Sequence, residues 1–260
     1  MSKEVSSLIE LLSSKKELTA MIAPSFPIMF SYPDIVGKLA RLGFNHVVEV
    51  AVGAKETNKN LLAILNKDPK TRLITSPCAS LTGIIKTKYP HLVKYLTPID
   101  SPMVYTARIV KEKWPQSTPV FIGPCPVKKL EAQNYAELNI MVLTFKELQE
   151  VFEHFNLKDE VADQDFSFDL ESSDTRLYPI SGGLSQSSNF ETLLAEDEYQ
   201  VVSGWSNCVK ALDGFEENAL LKVLDILYCD GGCISGLGIN SNLDLEHRRK
   251  KVIDFWQNQS

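Results

Sequence analysis

Short apolar runs alternate along this chain with longer stretches in which apolar residues recur every three or four positions. That is the pattern of strands alternating with amphipathic helices. Glu4 to Lys16 predicts a helix, and the apolar run Leu18 to Ala23 a strand that stops at Pro24-Ser25. Pro33 to Arg41 predicts a helix closed by Gly43, and His46 to Ala51 a strand. Helix Thr57 to Leu65, strand Arg72 to Ser76, helix Ala79 to Thr87, helix Pro102 to Lys113 and strand Pro119 to Ile122 follow. Asn139 to Thr144 reads as a buried strand, and Phe145 to Phe155 as a helix with an apolar stripe. Lys158 to Asp174 breaks the pattern. It is acidic and aperiodic, lacks the ligand spacing and glycine of a calcium loop, and reads as an exposed connection. Strand Gln200 to Ser203, helix Asn207 to Leu212 and strand Lys222 to Tyr228 complete the alternation.

Strands and helices in this order predict an α/β fold with parallel strands and crossover helices. In such folds ligands sit beyond the carboxyl ends of the strands. The turns predicted there read Ala23-Pro24-Ser25, Ser76-Pro77-Cys78 and Gly123-Pro124-Cys125. Composition changes little: 44% hydrophobic and 23% charged residues in a chain of 260 is ordinary for a globular protein. A net charge of −6 argues against a nucleic-acid surface. The densest basic run, Arg248 to Lys251, falls in a polar-faced C-terminal helix and reads as a solvated helix end. No apolar run approaches the ~20 residues needed to cross a membrane, and no signal segment is visible, so the cytoplasm is the expected location.

That compartment gives the cysteines meaning, because thiols in reducing surroundings favour metal or catalytic roles over disulfides. Cys78 and Cys125 occupy predicted strand-to-helix turns, where backbone amides and the helix dipole favour the thiolate that ligates metal. Cys229 and Cys233 form a Cys-x-x-x-Cys pair around Asp230-Gly231-Gly232, where glycine lets the backbone fold closely about a cluster. Four thiols from distant turns suit an iron–sulfur cluster. A tetrahedral zinc site usually prefers two close pairs, and only one is present; four buried structural cysteines are the plain alternative. Lys128 falls three residues after Cys125, one turn along the same helix face, with Glu131 at the next such position. This spacing suits a functional cation, and equally a solvated Lys–Glu pair. Cys208, without a partner turn, reads as a small buried hydrophobe.

With these residues in view, the chain resembles the H-cluster domain of the iron-only ([FeFe]) hydrogenases. That family carries three signatures: Thr-Ser-Cys-Cys-Pro, Pro-Cys-x-x-Lys-x-x-Glu, and Cys-x-x-x-Cys before a glycine-rich stretch. Here they stand as Thr75-Ser76-Pro77-Cys78, Pro124-Cys125-x-x-Lys128-x-x-Glu131 and Cys229-x-x-x-Cys233. The likeness extends through Ala23-Pro24-Ser25, the Tyr89-Pro90 and Ser101-Pro102 turns, and Ser181-Gly182-Gly183. It implies two lobes, each a small mainly parallel sheet flanked by helices, at roughly residues 1–135 and 136–240, with a C-terminal helix at 241–260. The cluster would lie in the cleft between them.

The resemblance also implies roles. Cys78, Cys125, Cys229 and Cys233 would hold a [4Fe–4S] cluster, with Cys233 bridging to a two-iron subcluster that carries CO, cyanide and a dithiolate. Lys128 would bond a cyanide. Ala23, Pro24, Ser25, Pro77, Ser101, Ser181, Gly182 and Gly183 would line the pocket. The implied activity is reversible oxidation of H2 to protons and electrons, with an external electron carrier such as ferredoxin and with hydrogenase maturation proteins as partners. Several departures stand against that pattern. Pro77 replaces the cysteine that passes protons to the two-iron site in prototypical members, and proline has nothing to ionise. The helix that supplies two relay glutamates reads Lys55-Glu-Thr-Asn-Lys-Asn60, Gly123 and Leu227 stand where methionines flank the site, and the glycine-rich tail is reduced to Ser235-Gly-Leu-Gly238. No ferredoxin-like cysteine cluster precedes the domain. These departures resemble the sensory branch. Slow hydrogenase, hydrogen- or redox-sensing regulator with a signalling partner, and non-catalytic [4Fe–4S] protein are the functions left open.

Overall fold

A computed structural model describes residues 1–68 and 70–258 of the chain. The helices are α1 (Lys3–Ser13), α2 (Asp34–Leu42), α3 (Ala51–Lys67), α4 (Ala79–Lys88), α5 (Pro102–Lys113), α6 (Lys128–Gln133), α7 (Phe145–His154), α8 (Gly183–Ser187), α9 (Phe190–Leu193), α10 (Trp205–Asp213) and α11 (Leu245–Asn258). The strands are β1 (Leu18–Ile22), β2 (His46–Glu49), β3 (Leu73–Ile74), β4 (Thr118–Gly123), β5 (Met141–Thr144), β6 (Tyr199–Ser203) and β7 (Val223–Leu227).

The strands form two sheets, one in the order β2-β1-β4-β5 and the other β3-β7-β6. Every pairing between these strands is parallel. β1 and β7, each central in its sheet, are buried along their whole length. Such strands carry near-continuous apolar runs because helices cover both faces. The α/β reading holds. The division at 135/136 does not follow the sheets: β5 (141–144) joins the first, and β3 (73–74) is carried across to the second. Crossover connections let the chain leave a sheet and return, so sheet membership is not contiguous in sequence.

Three local expectations change. α3 begins at Ala51, six residues before the predicted start at Thr57, and β2 stops at Glu49. The run Val47-Val48-Glu49-Val50, three of whose four residues are β-branched, concealed the switch. The early turns of α3 are held by packing on α5, where a Cβ on Gly53 would meet the Pro102 carbonyl oxygen at 2.1 Å. The acidic segment at 158–174 is not an exposed connection throughout. Asp163 is fully buried against Gly37 and bonded by Arg41 Nε at 2.7 Å, Phe168 is buried, and Leu170 bridges to Val48 on β2. The basic run is not simply solvated either. Arg248 donates to the carbonyls of Ser241, Leu243 and Ile234 at 2.6, 2.8 and 3.2 Å, fastening α11 to the loop that follows Cys233.

Candidate metal centre

The turns expected to carry chemistry all leave carboxyl ends of strands, from both sheets. β1 runs into Ala23-Pro24-Ser25, β4 into Pro124-Cys125, β3 into Ser76-Pro77-Cys78, and β7 into Tyr228-Cys229. They meet around one cavity of about 80 Å³, whose walls include Ala23, Pro24, Ser25, Pro77, Cys125, Lys128 and Cys233. These residues lie far apart in sequence. Only the parallel arrangement of both sheets brings them together.

The four predicted ligand cysteines are electrostatic neighbours. Burial pushes the Cys78 thiol up, with Cys125 adding to it. Cys233 is held well above its ordinary range by burial and then by Cys78, Cys125 and Cys229. Cys229 is pushed up to about 11 by burial and then by Cys78 and Cys125. Thiols that raise one another in this way ionise together only when a cation is supplied, so metal binding there releases protons. Among the described residues, no three Cys, His, Asp or Glu side chains converge tightly enough to grip a single metal ion. Cys125 and Cys233 line the cavity, and Cys78 and Cys229 stand near enough to act on Cys233; donors to a multi-iron cluster need not touch, because each thiolate takes its own iron. The donor set therefore fits a [4Fe–4S] cluster.

Lys128, the first residue of α6, is buried at the cavity wall. Its Nζ lies 2.5 Å from Glu131 Oε2 and donates to the Pro77 carbonyl at 3.0 Å. Burial opposes the charge, but Glu131 and the cysteines outweigh it and hold the amine above its ordinary range. The solvated-pair alternative fails here: this ammonium is enclosed. It has three N–H donors, and these two contacts leave one over. Ser25 Oγ, fully buried on the same cavity, has no hydrogen-bond partner among the described residues.

The loops are clamped to one another. Gly232 adopts φ +106°, and a Cβ there would meet the Pro179 carbonyl oxygen at 2.4 Å. Ser181 N–H donates to the Gly231 carbonyl at 2.8 Å. Ser181, Gly182 and Gly183 are not among the residues lining the cavity; this turn supports the Cys229–Cys233 loop from behind. The shortened tail has a comparable task. Gly238 N–H donates to the Pro124 carbonyl at 2.8 Å, tying the Cys233 loop to the Cys125 loop. Ser101 is also displaced from its expected place: it lines a separate groove of about 530 Å³ with Ser76 and Glu131.

Sequence reasoning missed several cavity residues. Phe121, two positions before Gly123 on β4, lays its ring within 2.6 Å of where a Cβ on Gly123 would stand, so it takes the space beside that glycine. Tyr178 and Asp225 also line the cavity. Asp225 had a signal: it is the one charged residue in the apolar strand Val223-Leu-Asp-Ile-Leu227. Cys208 is fully buried, as expected, but it is no distant thiol. Burial, then Cys78, Asp230 and Cys229, push it up to about 12.

A family model described as "Iron only hydrogenase large subunit, C-terminal domain" matches residues 16–237. Among solved structures, an apo variant of [FeFe]-hydrogenase HydA1 from Chlamydomonas reinhardtii superposes with a TM-score of 0.74 at 16% identity, over 97% of this chain and 88% of that one. A second variant of the same enzyme gives 0.73 at 17% identity, over 96% and 88%. The HydA(deltaEFG) structure, concerned with stepwise [FeFe]-hydrogenase H-cluster assembly, gives 0.72 at 17% identity, over 97% and 88%. At such identity these superpositions speak for the fold. No curated protein sequence matches. The family model spans most of the chain, and the chain belongs to the family formed by the C-terminal domain of the iron-only hydrogenases' large chain.

Proposed function

We propose that this protein is an [FeFe]-hydrogenase-like iron–sulfur protein that carries an H-cluster and oxidises H2 reversibly and slowly. The observation that carries this reading is the buried Lys128 ammonium on a cavity shared with Cys125 and Cys233, which are coupled in turn to Cys78 and Cys229. A protein holding only the cubane has no use for a buried cation with a spare donor. Cys78, Cys125, Cys229 and Cys233 would hold the cubane, and Cys233 would also bridge to a two-iron subcluster. When bound, the cluster supplies the redox and hydrogen-splitting chemistry.

The chain's own residues do the rest. Lys128 presents a cation and Ser25 a hydroxyl to anionic ligands, and the apolar walls exclude water. Pro77 contributes its carbonyl to Lys128 and nothing that can carry a proton. The inner end of a proton relay is absent at that position, which predicts slow turnover. The same feature favours a second reading, a regulator that binds H2 or responds to redox state and signals to a partner.

Infrared spectroscopy of anaerobically maturated protein tests the first reading: CO and cyanide bands, with iron in excess of one [4Fe–4S] cluster, are expected. Their absence, with cubane iron alone, overturns it. Pro77→Cys places a thiol at the missing position and is expected to raise H2 turnover by about 10²-fold or more, the usual worth of a positioned proton carrier. Unchanged turnover, with a hydrogen-dependent change in a partner's activity, favours the regulator.

A further inference from the structure

β7 carries one charged residue among apolar ones, and it faces the cavity. Asp225 is 2% exposed and forms part of the cavity wall. Its Oδ2 accepts the backbone N–H of Ser185 at 3.2 Å and the Ser185 hydroxyl at 2.8 Å. Both hydrogen bonds of this carboxyl go to Oδ2, which leaves Oδ1 free to face the cavity, and Asp225 forms no ion pair among the described residues. The titratable groups around it offer no rescue. Tyr178 donates its hydroxyl away, to Asn58 Oδ1 at 3.0 Å. Lys128, elsewhere on the cavity wall, pairs with Glu131 and forms no ion pair with Asp225 among the described residues. Cys125 and Cys233 share the cavity but bring no positive charge.

An ionised carboxylate buried without a counter-charge is strongly disfavoured, and such groups take up a proton instead. Burial pushes this carboxyl up, against the two bonds from Ser185 that pull it down. Because Oδ2 already accepts two hydrogen bonds, the proton belongs on Oδ1. A buried O–H without an acceptor is itself costly. Ser25 Oγ poses the same demand on the same cavity. The two unpartnered groups, with the spare Lys128 donor, call for an occupant rich in acceptors.

We propose that Asp225 is held as a neutral acid and acts, with Lys128 and Ser25, as a third hydrogen-bond donor to an anionic group in the cavity. In this role it is a positioning residue that carries a proton at the cavity wall, where Pro77 can offer none. The identity of that group as the two-iron subcluster rests on the proposed function; the protonation of Asp225 does not.

Infrared difference spectra of wild type against Asp225→Asn, in H2O and D2O at a pH well above the ordinary Asp range, test the inference. The amide retains the acceptor for Ser185, so the variant is expected to fold. Expected is a protonated-carboxyl C=O band that shifts on deuteration, is lost in Asp225→Asn, and moves when the two-iron group is installed. Carboxylate bands alone overturn the inference, and so does an acid band that stays fixed on installation. If CO and cyanide bands never appear, the proposed function fails. The acid band must still be present in the cubane-only protein, and its absence there overturns the inference on its own terms. Asp225→Leu, which removes the donor, is expected to shift the cyanide bands that Asp225→Asn leaves nearly in place; no shift counts against the donor role.

Discussion

Two buried ion pairs in this molecule use the same chemistry for opposite ends. Arg176, 1% exposed at its side chain, donates Nε to Glu49 Oε1 at 2.9 Å and Nη2 to Glu171 at 2.6 Å, and stacks over Phe255 at 4.5 Å. It joins the end of β2 to the segment at 168–176 and to α11, and its guanidinium is consumed by protein. Lys128 has one carboxylate and one carbonyl, and a donor left over beside the cavity. Arginine's fixed fork suits a pair meant to stay closed, while lysine's compact charge can serve both a carboxylate and a bound ligand. A saturated pair holds the fold; an unsaturated one marks a site.

Arg176→Met should break the comparison on the stability side, and by the largest margin. It strands Glu49, which is fully buried and which burial already pushes above the ordinary carboxylate range against the pull of Arg176. Leaving one member of a buried pair unmatched costs about 3–5 kcal/mol. Urea unfolding should show a loss of that order. A loss under about 1 kcal/mol would mean that the pair is no brace.

The outer pair of Asp163 and Arg41 gives a smaller effect with a definite sign in pH. Arg41 bonds Asp163 through Nε and Nη2, both at 2.7 Å, and holds its carboxyl below the ordinary range. A depressed folded pKa adds stability that is fully present above the unfolded value of about 3.9 and is lost as pH falls through the lower folded value. Asp163→Asn should therefore cost about 1–2 kcal/mol near neutrality. The gap from wild type should close in acid. Unfolding curves that stay equally separated at low pH would show that shape, not charge, is what Asn fails to supply.

These pairs also mark how far the sequence could be read. The strand-end turns and the cysteine quartet were legible because Pro, Gly and Cys in short turns carry their geometry with them. The Pro-Cys-x-x-Lys-x-x-Glu spacing told of Lys128 and Glu131 on one helix face, and they meet at 2.5 Å. Burial decides whether such a pair is solvated or functional, and burial depends on elements far away in sequence. The same limit hid Arg176–Glu49, Asp163–Arg41 and the supporting role of Ser181-Gly182-Gly183. Each depends on crossover connections bringing distant segments together, which local periodicity does not encode. Asp225 lay between the two cases: a lone acid in an apolar strand was visible, but the cavity beside it was not.

Lys128→Met sharpens the comparison from the other side. Its effect on folding should fall below the loss of about 3–5 kcal/mol expected for Arg176→Met. Glu131 Oε2 is itself buried, but the residue also lines the separate groove of about 530 Å³, so the freed carboxylate can turn toward water there, whereas Glu49 is fully buried. The methionine stem fills much of the space of the lysine chain, and the cost of burying an ammonium disappears with it. The four cysteines proposed to hold the cubane are untouched, so the iron–sulfur absorbance should remain. What should vanish is the capacity to hold an anionic group beside the cubane, read as loss of the CO and cyanide bands and of the iron beyond one [4Fe–4S] cluster. Arg176→Met should show the reverse order, with large destabilisation and, in the fraction that folds, an intact set of bands. If Lys128→Met unfolds the protein as Arg176→Met does, the lysine is a second brace, and the distinction between saturated and unsaturated pairs falls.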